Sequence, residues 1–266
     1  MKKVPQVLLI GDSCTDIYTY VELSSRSNPE APSAPLYTTI KKVVTHGMVL
    51  NVSRGLTNLG LETFTLFPDP GIITKLRIID NKTGNQLMRI DYDKPLEEVN
   101  LEYIDFSKFD SVVISDYNKG YVSDKTIKFV EDNFTTGPIF LDTKKTNISD
   151  FSSCIKKINL AEANAANSID TVTIVTLGDK GCRGIDKNRT IVPTLKVNPV
   201  DTCGAGDAFL TGLVYGFSNL SNESEDALVY ANVNAAISVQ HMGVYQPSLE
   251  ELLKGVELYE QTVRGS

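Results

Sequence analysis

Val7-Leu8-Leu9-Ile10 runs straight into Gly11-Asp12. An unbroken apolar run of strand length, closed by a glycine and a short acid, marks a strand buried on both faces whose carboxyl end opens on a loop. The pattern recurs at Ser111-Val112-Val113-Ile114 before Ser115-Asp116, at Ile139-Phe140-Leu141 before Asp142, and from Val172 to Val175 before Thr176. Lys157-Ile158-Asn159-Leu160 is a further candidate. Helical patterns at 124–134, 205–217, 225–239 and 249–263 lie between and after these runs. Such alternation predicts an α/β fold with a mostly parallel sheet, whose ligands bind outside the carboxyl ends of the strands.

Four stretches break the alternation: 17–21, 36–40, 73–80 and 86–92. They are β-branched and aromatic, but too polar for a central strand. Asn81-Lys82-Thr83-Gly84-Asn85 reads as a hairpin turn between the last two. Together they predict a small antiparallel sheet projecting from the main body over roughly 15–45 and 72–93. A half-exposed sheet of this kind is expected to act as a lid and as a homodimer surface.

The 266 residues, 41% of them hydrophobic, suffice for one large domain spanning 1–266. The net charge of −7 argues against nucleic acid as a partner, because a phosphate backbone needs a basic face. Cys14, Cys154, Cys182 and Cys203 show no zinc or redox spacing, and with no signal peptide they predict reduced thiols in a cytoplasmic protein. The longest apolar runs are too short to span a bilayer, so no membrane is expected.

The chemistry is concentrated in Asp201-Thr202-Cys203-Gly204-Ala205-Gly206-Asp207-Ala208-Phe209. Glycines that open an apolar helix offer free backbone N–H groups at the positive end of its dipole, which is an anion site. Asp207 falls in the first turn, where a carboxylate can take a proton from a hydroxyl while the N–H groups hold a phosphoryl group. Taken alone, the same residues fit an ordinary helix start whose acid complements the dipole. No GxxxxGK[ST] and no GxGxxG after the first strand competes for a nucleotide, which argues against a nicotinamide dehydrogenase.

The nine residues from Asp201 to Phe209 resemble the signature of the ribokinase (PfkB) family of carbohydrate kinases. Further likenesses follow in order. Asn159-Leu160-Ala161-Glu162 resembles an Asn-x-x-Glu motif, Thr176-Leu177-Gly178-Asp179-Lys180-Gly181 a nucleotide loop, and Ala231-Asn232-Val233-Asn234-Ala235-Ala236 the helix beside the adenine. The N-terminal half is similar to the heptose-7-phosphate kinase branch, the kinase domain of bifunctional heptose kinase/adenylyltransferases. This rests on Gly11-Asp12, Asp16, residues 25–32, Ile73-Thr74-Lys75-Leu76-Arg77, Leu87-Met88-Arg89-Ile90-Asp91 and Ser115-Asp116-Tyr117-Asn118-Lys119-Gly120. No nucleotidyltransferase segment follows, so only the kinase half is implied.

The resemblance implies a three-layer α/β/α sandwich with a β lid, and ATP and magnesium as cofactors; dependence on a monovalent cation is left open. Asp207 becomes the catalytic base, with Gly204, Ala205 and Gly206 supplying N–H groups to the transferred phosphoryl. Asn159 and Glu162 would hold magnesium, through water. Thr176, Gly178 and Gly181 would line the triphosphate and ribose, with Asp201 and Asn232 also on the nucleotide side. Lys144 either reaches a nucleotide phosphate or belongs with Lys145 to a solvated basic run.

On the acceptor side, Asp12, Asp16, Asn51 and Asp116 are short polar groups suited to sugar hydroxyls. Arg26, Lys75, Arg77 and Arg89 form a basic set in an acidic protein. They suit a substrate that already carries phosphate, or else are outward charges on lid strands. The family's substrate-loop glycine pair stands here as His46-Gly47, so the His46 side chain either contacts a hydroxyl or phosphate of the substrate or simply fills space. Two segments are short for the family, after Phe67 and after Glu162. The expected activity is phosphoryl transfer from ATP to a hydroxyl of a sugar or sugar phosphate, such as a heptose 7-phosphate. A different sugar or a nucleoside is the first alternative, and a kinase-like binding protein without turnover the second.

Overall fold

The computed structural model describes residues 3–169, 173–184, 190–219 and 224–265. The strands are β1 (Gln6–Gly11), β2 (Ser13–Leu23), β3 (Tyr37–Met48), β4 (Glu62–Leu66), β5 (Thr74–Asp80), β6 (Gln86–Tyr92), β7 (Ser111–Asp116), β8 (Ile139–Thr143), β9 (Cys154–Asn159), β10 (Thr173–Thr176), β11 (Cys182–Arg183) and β12 (Ile191–Val192). The helices are α1 (Val49–Asn58), α2 (Asp124–Asn133), α3 (Leu160–Ala165), α4 (Ala205–Asn219), α5 (Ser224–Ser238) and α6 (Leu249–Tyr259). The main sheet has the order β12-β11-β10-β9-β8-β7-β1-β4. It is parallel from β10 to β4, and β11 and β12 close its other edge in antiparallel fashion.

The apolar runs form the sheet's centre because both of its faces are covered. Val7, Leu9, Val113 and Phe140 enter one core cluster with α1, α4, α5 and α6. Their neighbours Leu8, Ile10, Val112, Ile114, Ile139 and Leu141 enter a second cluster with Ile127 and Val130 of α2. Alternate residues of one strand thus feed opposite cores, as the two-residue period of a strand requires. This is the three-layer arrangement expected from the sequence. Val172, expected in the strand before Thr176, lies outside the described residues. Leu160 is not in a strand but begins α3.

The lid is β3-β2-β5-β6, built almost at the predicted places, but it is mixed rather than antiparallel. The two outer pairs are antiparallel, whereas β2 and β5 run parallel, with Asp16 opposite Lys75. The cause is connectivity. β1 and β4 are parallel neighbours, and the chain leaves both at the same end of the sheet, so the strands that follow rise in the same direction. The Thr15 N–H donates to the Ile73 carbonyl where they meet.

Phe140 is fully buried and meets Phe217 of α4 edge-on, with ring centroids 5.4 Å apart. Replacing it with alanine removes the side chain that ties the sheet to α4. Phe140→Ala should cost about 3–5 kcal/mol of folding stability. Urea denaturation monitored by circular dichroism measures this, and a loss below about 1 kcal/mol would contradict the packing described.

Candidate active site

The carboxyl ends of β8, β9 and β10 bring Asp142, Asn159 and Thr176 to one edge of the sheet, facing the start of α4. The loop before α4 is folded by Asp201, whose carboxylate accepts the N–H groups of Cys203 (2.9 Å) and Gly243 (3.0 Å). Gly204 then turns with φ 81°, a conformation that a side chain disfavours. Asp207 follows in the first turn of α4 and is buried. It accepts hydrogen bonds from Asn51 Nδ2 at 2.6 Å and from the Tyr117 hydroxyl at 2.9 Å.

Burial pushes the Asp207 carboxyl above the usual carboxylate range, and the charge of Asp142 adds to this; Asn51, Lys157 and Tyr117 oppose it. Burial and the charge of Asp207 in turn hold the Tyr117 hydroxyl well above its ordinary value, so it is a donor to Asp207 throughout the neutral range. The Tyr117 ring is flanked by two ammonium groups, Lys75 and Lys144, each 5.5 Å from its centroid.

Two cavities of about 550 Å³ each meet here, sharing Thr176 and Gly206 in their walls. The first lies between the lid and the sheet. Cationic side chains outnumber acidic ones in its wall six to four, although the whole chain is acidic. The second is bounded by Gly178, Gly181, Thr202, Ala205, Phe209 and Asn232, and is more apolar. Asn232 donates from Nδ2 to the carbonyls of Val192 (2.9 Å) and Pro193 (3.1 Å), which fixes the far wall.

The cations of the first cavity are mostly paired already. Arg77 makes a close ion pair with Asp16 and stacks over Tyr18 at 5.1 Å. Arg89 holds Asp91 through two hydrogen bonds, at 2.8 and 2.7 Å. Lys144 is bound to Glu162, and Lys157 to Asp142 at 2.7 Å. Lys75 lines the cavity without an ion-pair partner among the described residues. Gly47 allows this arrangement, since a Cβ there would stand 2.2 Å from Asp16 Oδ2.

Of the residues singled out in the sequence, the first cavity gathers Asp16, Gly47, Asn51, Lys75, Arg77, Arg89, Lys144, Asn159, Gly204 and Asp207. The second gathers Gly178, Gly181, Ala205 and Asn232, while Thr176 and Gly206 belong to both. Several are placed elsewhere. His46 is exposed on β3, one residue out of phase with Gly47, so strand alternation turns it to the other face of the lid. Arg26 is exposed in the loop between β2 and β3 and lines neither cavity. Asp12 is fully buried behind the cavity, where it accepts the N–H groups of Tyr117 (2.7 Å) and Lys119 (3.2 Å). Asp116 is likewise buried, accepting from the Thr143 hydroxyl (2.6 Å) and the Asn118 N–H (2.8 Å). These two acids hold the 117–119 turn in place, and Asp201 holds the 203 turn. All three shape the cavities without lining them.

Asn159 and Glu162 form a capping box on α3. Glu162 N–H donates to Asn159 Oδ1 at 2.9 Å, and Asn159 N–H donates to Glu162 Oε2 at 2.8 Å. With the unpartnered, buried Oδ1 of Asp142, they put oxygen donors at neighbouring strand ends. Such a set suits magnesium, which keeps several waters. Glu162 already serves the cap and Lys144, so it fits the ion through water. Among the described residues no three or more His, Cys, Asp or Glu are clustered to bind a metal directly.

Tyr117, Lys157 and Asp142 were not singled out for the site. Tyr117 sits beside a strand-ending acid, and Lys157 is one of two adjacent lysines in the strand β9; those are the available signals.

Residues 140–252 match the family model for pfkB family carbohydrate kinase. Over that stretch the chain is similar to pfkB-family carbohydrate kinases. The bifunctional protein HldE of Aliarcobacter butzleri is 24% identical over 323 residues, covering 100% of this chain and 66% of that protein. The chain therefore spans just under two thirds of that relative's length. Among solved structures, a ribokinase from Thermotoga maritima superposes with a TM-score of 0.71 at 20% identity, covering 94% of this chain and 99% of that one. Arabidopsis thaliana ribokinase complexed with ribose and ATP gives 0.69 at 15% identity, covering 96% and 99%. At these identities the structural likeness shows the fold: a ribokinase-like architecture. No helix among its described residues is long and apolar enough to cross a membrane.

The close approach at Gly47 is open to test. Gly47→Ala should displace Asp16 from Arg77 and cost about 1–3 kcal/mol. Chemical denaturation reads the cost, and a variant as stable as the parent would refute the approach.

Proposed function

We propose that this kinase transfers the γ-phosphoryl group of ATP to a hydroxyl of an anionic sugar held under the lid, a heptose 7-phosphate being the favoured acceptor. The observation that carries the reading is the position of Asp207: a buried carboxylate in the first turn of α4, where a polar, cationic cavity and a more apolar one meet. The apolar cavity takes the nucleotide, with Asn232 beside the base and Thr176, Gly178 and Gly181 along ribose and phosphates. The cationic cavity takes the acceptor.

Asp207 removes the acceptor's proton, and its raised pKa suits a base that works near neutrality. Asn51 and Tyr117 orient the carboxylate, so the acceptor hydroxyl competes with Tyr117 for Oδ1. Backbone N–H groups of Gly204 and Gly206 would hold the transferred phosphoryl, joined by that of Ala205 if it leaves the Thr202 carbonyl, 3.3 Å away. Magnesium, held through water by Asn159 and Glu162, supplies charge neutralisation to the triphosphate when bound. Lys144 joins the nucleotide side.

The acceptor is read as anionic because the cations exceed the acids in its cavity. Lys75, unpaired, and Arg77 and Arg89, whose acids can yield, suit a phosphate. The heptose assignment rests on the resemblance of the lid segments. Leu23, Ile40, Val44, Met88 and Tyr92 are exposed on the lid strands, which supports a homodimer through that sheet.

Asp207→Asn keeps the shape and removes the base, and should lower kcat by roughly 10²–10⁴-fold in a coupled ADP-release assay with heptose 7-phosphate. Turnover within a few-fold of the parent would sink the mechanism. Tyr117→Phe deletes a bond that favours the charged carboxylate, so the Asp207 pKa must rise further. The acid limb of the kcat/KM profile should move to higher pH, with the loss largest on the acidic side. An unmoved limb would show that Asp207 is not the titrating base.

A further inference from the structure

Lys157 is a charge that the fold alone does not require. It lies in β9 beside Ile158, its side chain is 4% exposed, and its Nζ is 2.7 Å from Asp142 Oδ2. A buried ammonium is costly unless paired. Asp142 is its one ion-pair partner among the described residues, and an ammonium has three donors. The pair does not lie deep in the core, since both residues reach the wall of the first cavity. Lys144 differs, being 37% exposed at its side chain and tied to Glu162 at the rim.

The position of the ammonium is more telling than its burial. A Cβ built on Gly206 would stand 2.9 Å from Lys157 Nζ, so the ammonium rests against the first turn of α4 and fills the space a side chain at 206 would need. Gly206 belongs to the walls of both cavities. Lys157 therefore stands at the crossing point between them, on the same helix turn as Asp207, and its charge acts on that carboxylate.

Resting on the proposed kinase reading, we infer that Lys157 is a catalytic residue: its ammonium donates a hydrogen bond to a non-bridging oxygen of the phosphoryl group as that group passes Gly206. In this step the acceptor oxygen bonds to the γ-phosphorus while its proton goes to Asp207. The bond from the γ-phosphorus to the bridging oxygen breaks, and its electron pair leaves with ADP. Lys157 keeps its proton throughout. Negative charge on the equatorial oxygens is met by a cation already held in place by Asp142, with no reorganisation needed at the moment of transfer.

Three variants test the assignment: Lys157→Met, Lys157→Arg, and Lys157→Met combined with Asp142→Asn. The double variant leaves no buried unpaired charge, so it keeps the test decisive if the single Met variant folds poorly. Calorimetry compares ADP–magnesium alone with ADP–magnesium plus aluminium fluoride, a mimic of the phosphoryl group in flight that needs no acceptor. The wild-type protein should bind the fluoride complex more tightly than ADP. Measured against each variant's own ADP–magnesium binding, both Met variants should lose most of that gain, on the order of 10²-fold as for one preorganised donor; the Arg variant should recover part of it. A full gain in the double variant would overturn the role of Lys157 and leave the kinase reading intact. The absence of any gain in the wild-type protein would overturn both.

Discussion

Asp207 is a carboxylate shut away from water at the start of an apolar helix, and a buried acid must be hydrogen-bonded or neutral. Its partners come from distant parts of the chain. Asn51 is carried by α1, directly after the lid strand β3, and Tyr117 by the turn after β7. That turn is in turn fixed by Asp12 at the end of β1. The lid, the sheet and α4 therefore converge on one side chain. Moving any of them changes the solvation of Asp207 and hence its affinity for a proton.

The same economy governs the charges around it. The cavity under the lid holds many ionic groups, yet most are paired in twos: Arg77 with Asp16, Arg89 with Asp91, Lys144 with Glu162, Lys157 with Asp142. Pairing lets an acidic protein keep a cationic pocket without the cost of isolated buried charge. Under the proposed function, an incoming phosphate would compete with these carboxylates. Its recognition would then depend on geometry, with forked arginines exchanging one oxyanion for another, more than on net charge. Burial acts on the thiols as well. Cys14 and Cys182 are pushed up to about 12, so neither is a nucleophile at neutral pH.

Much of this architecture was legible in the sequence. The runs at Val7, Val112 and Ile139 became central parallel strands because a strand covered on both faces needs apolar residues throughout. The glycines and acid at 204–207 marked the helix start correctly, since the signal there is local. What failed was direction. An acid at a strand end suggests a ligand-facing group, but Asp12 and Asp116 turn inward to hold backbone N–H groups, a choice made by tertiary contacts. The face that His46 takes depends on the register of β3 against β2, which sequence does not fix. The parallel pairing in the lid followed from chain entry points, not from composition. Tyr117 and Lys157 carry little local signal because each gains its meaning from a partner distant in sequence, Asp207 and Asp142.

Under the proposed function, a hydroxyl of an anionic sugar meets the γ-phosphoryl of ATP at the junction of the two cavities, beside Asp207. A crystal structure with heptose 7-phosphate and a non-hydrolysable ATP analogue is the decisive test. One sugar hydroxyl should lie within about 2.6–3.2 Å of an Asp207 carboxylate oxygen. The γ-phosphate should lie against Gly206, and the sugar's phosphate should touch Lys75 or the arginines of the lid. A sugar seated away from Asp207, or a nucleotide whose γ-phosphate points away from Gly206, would contradict it.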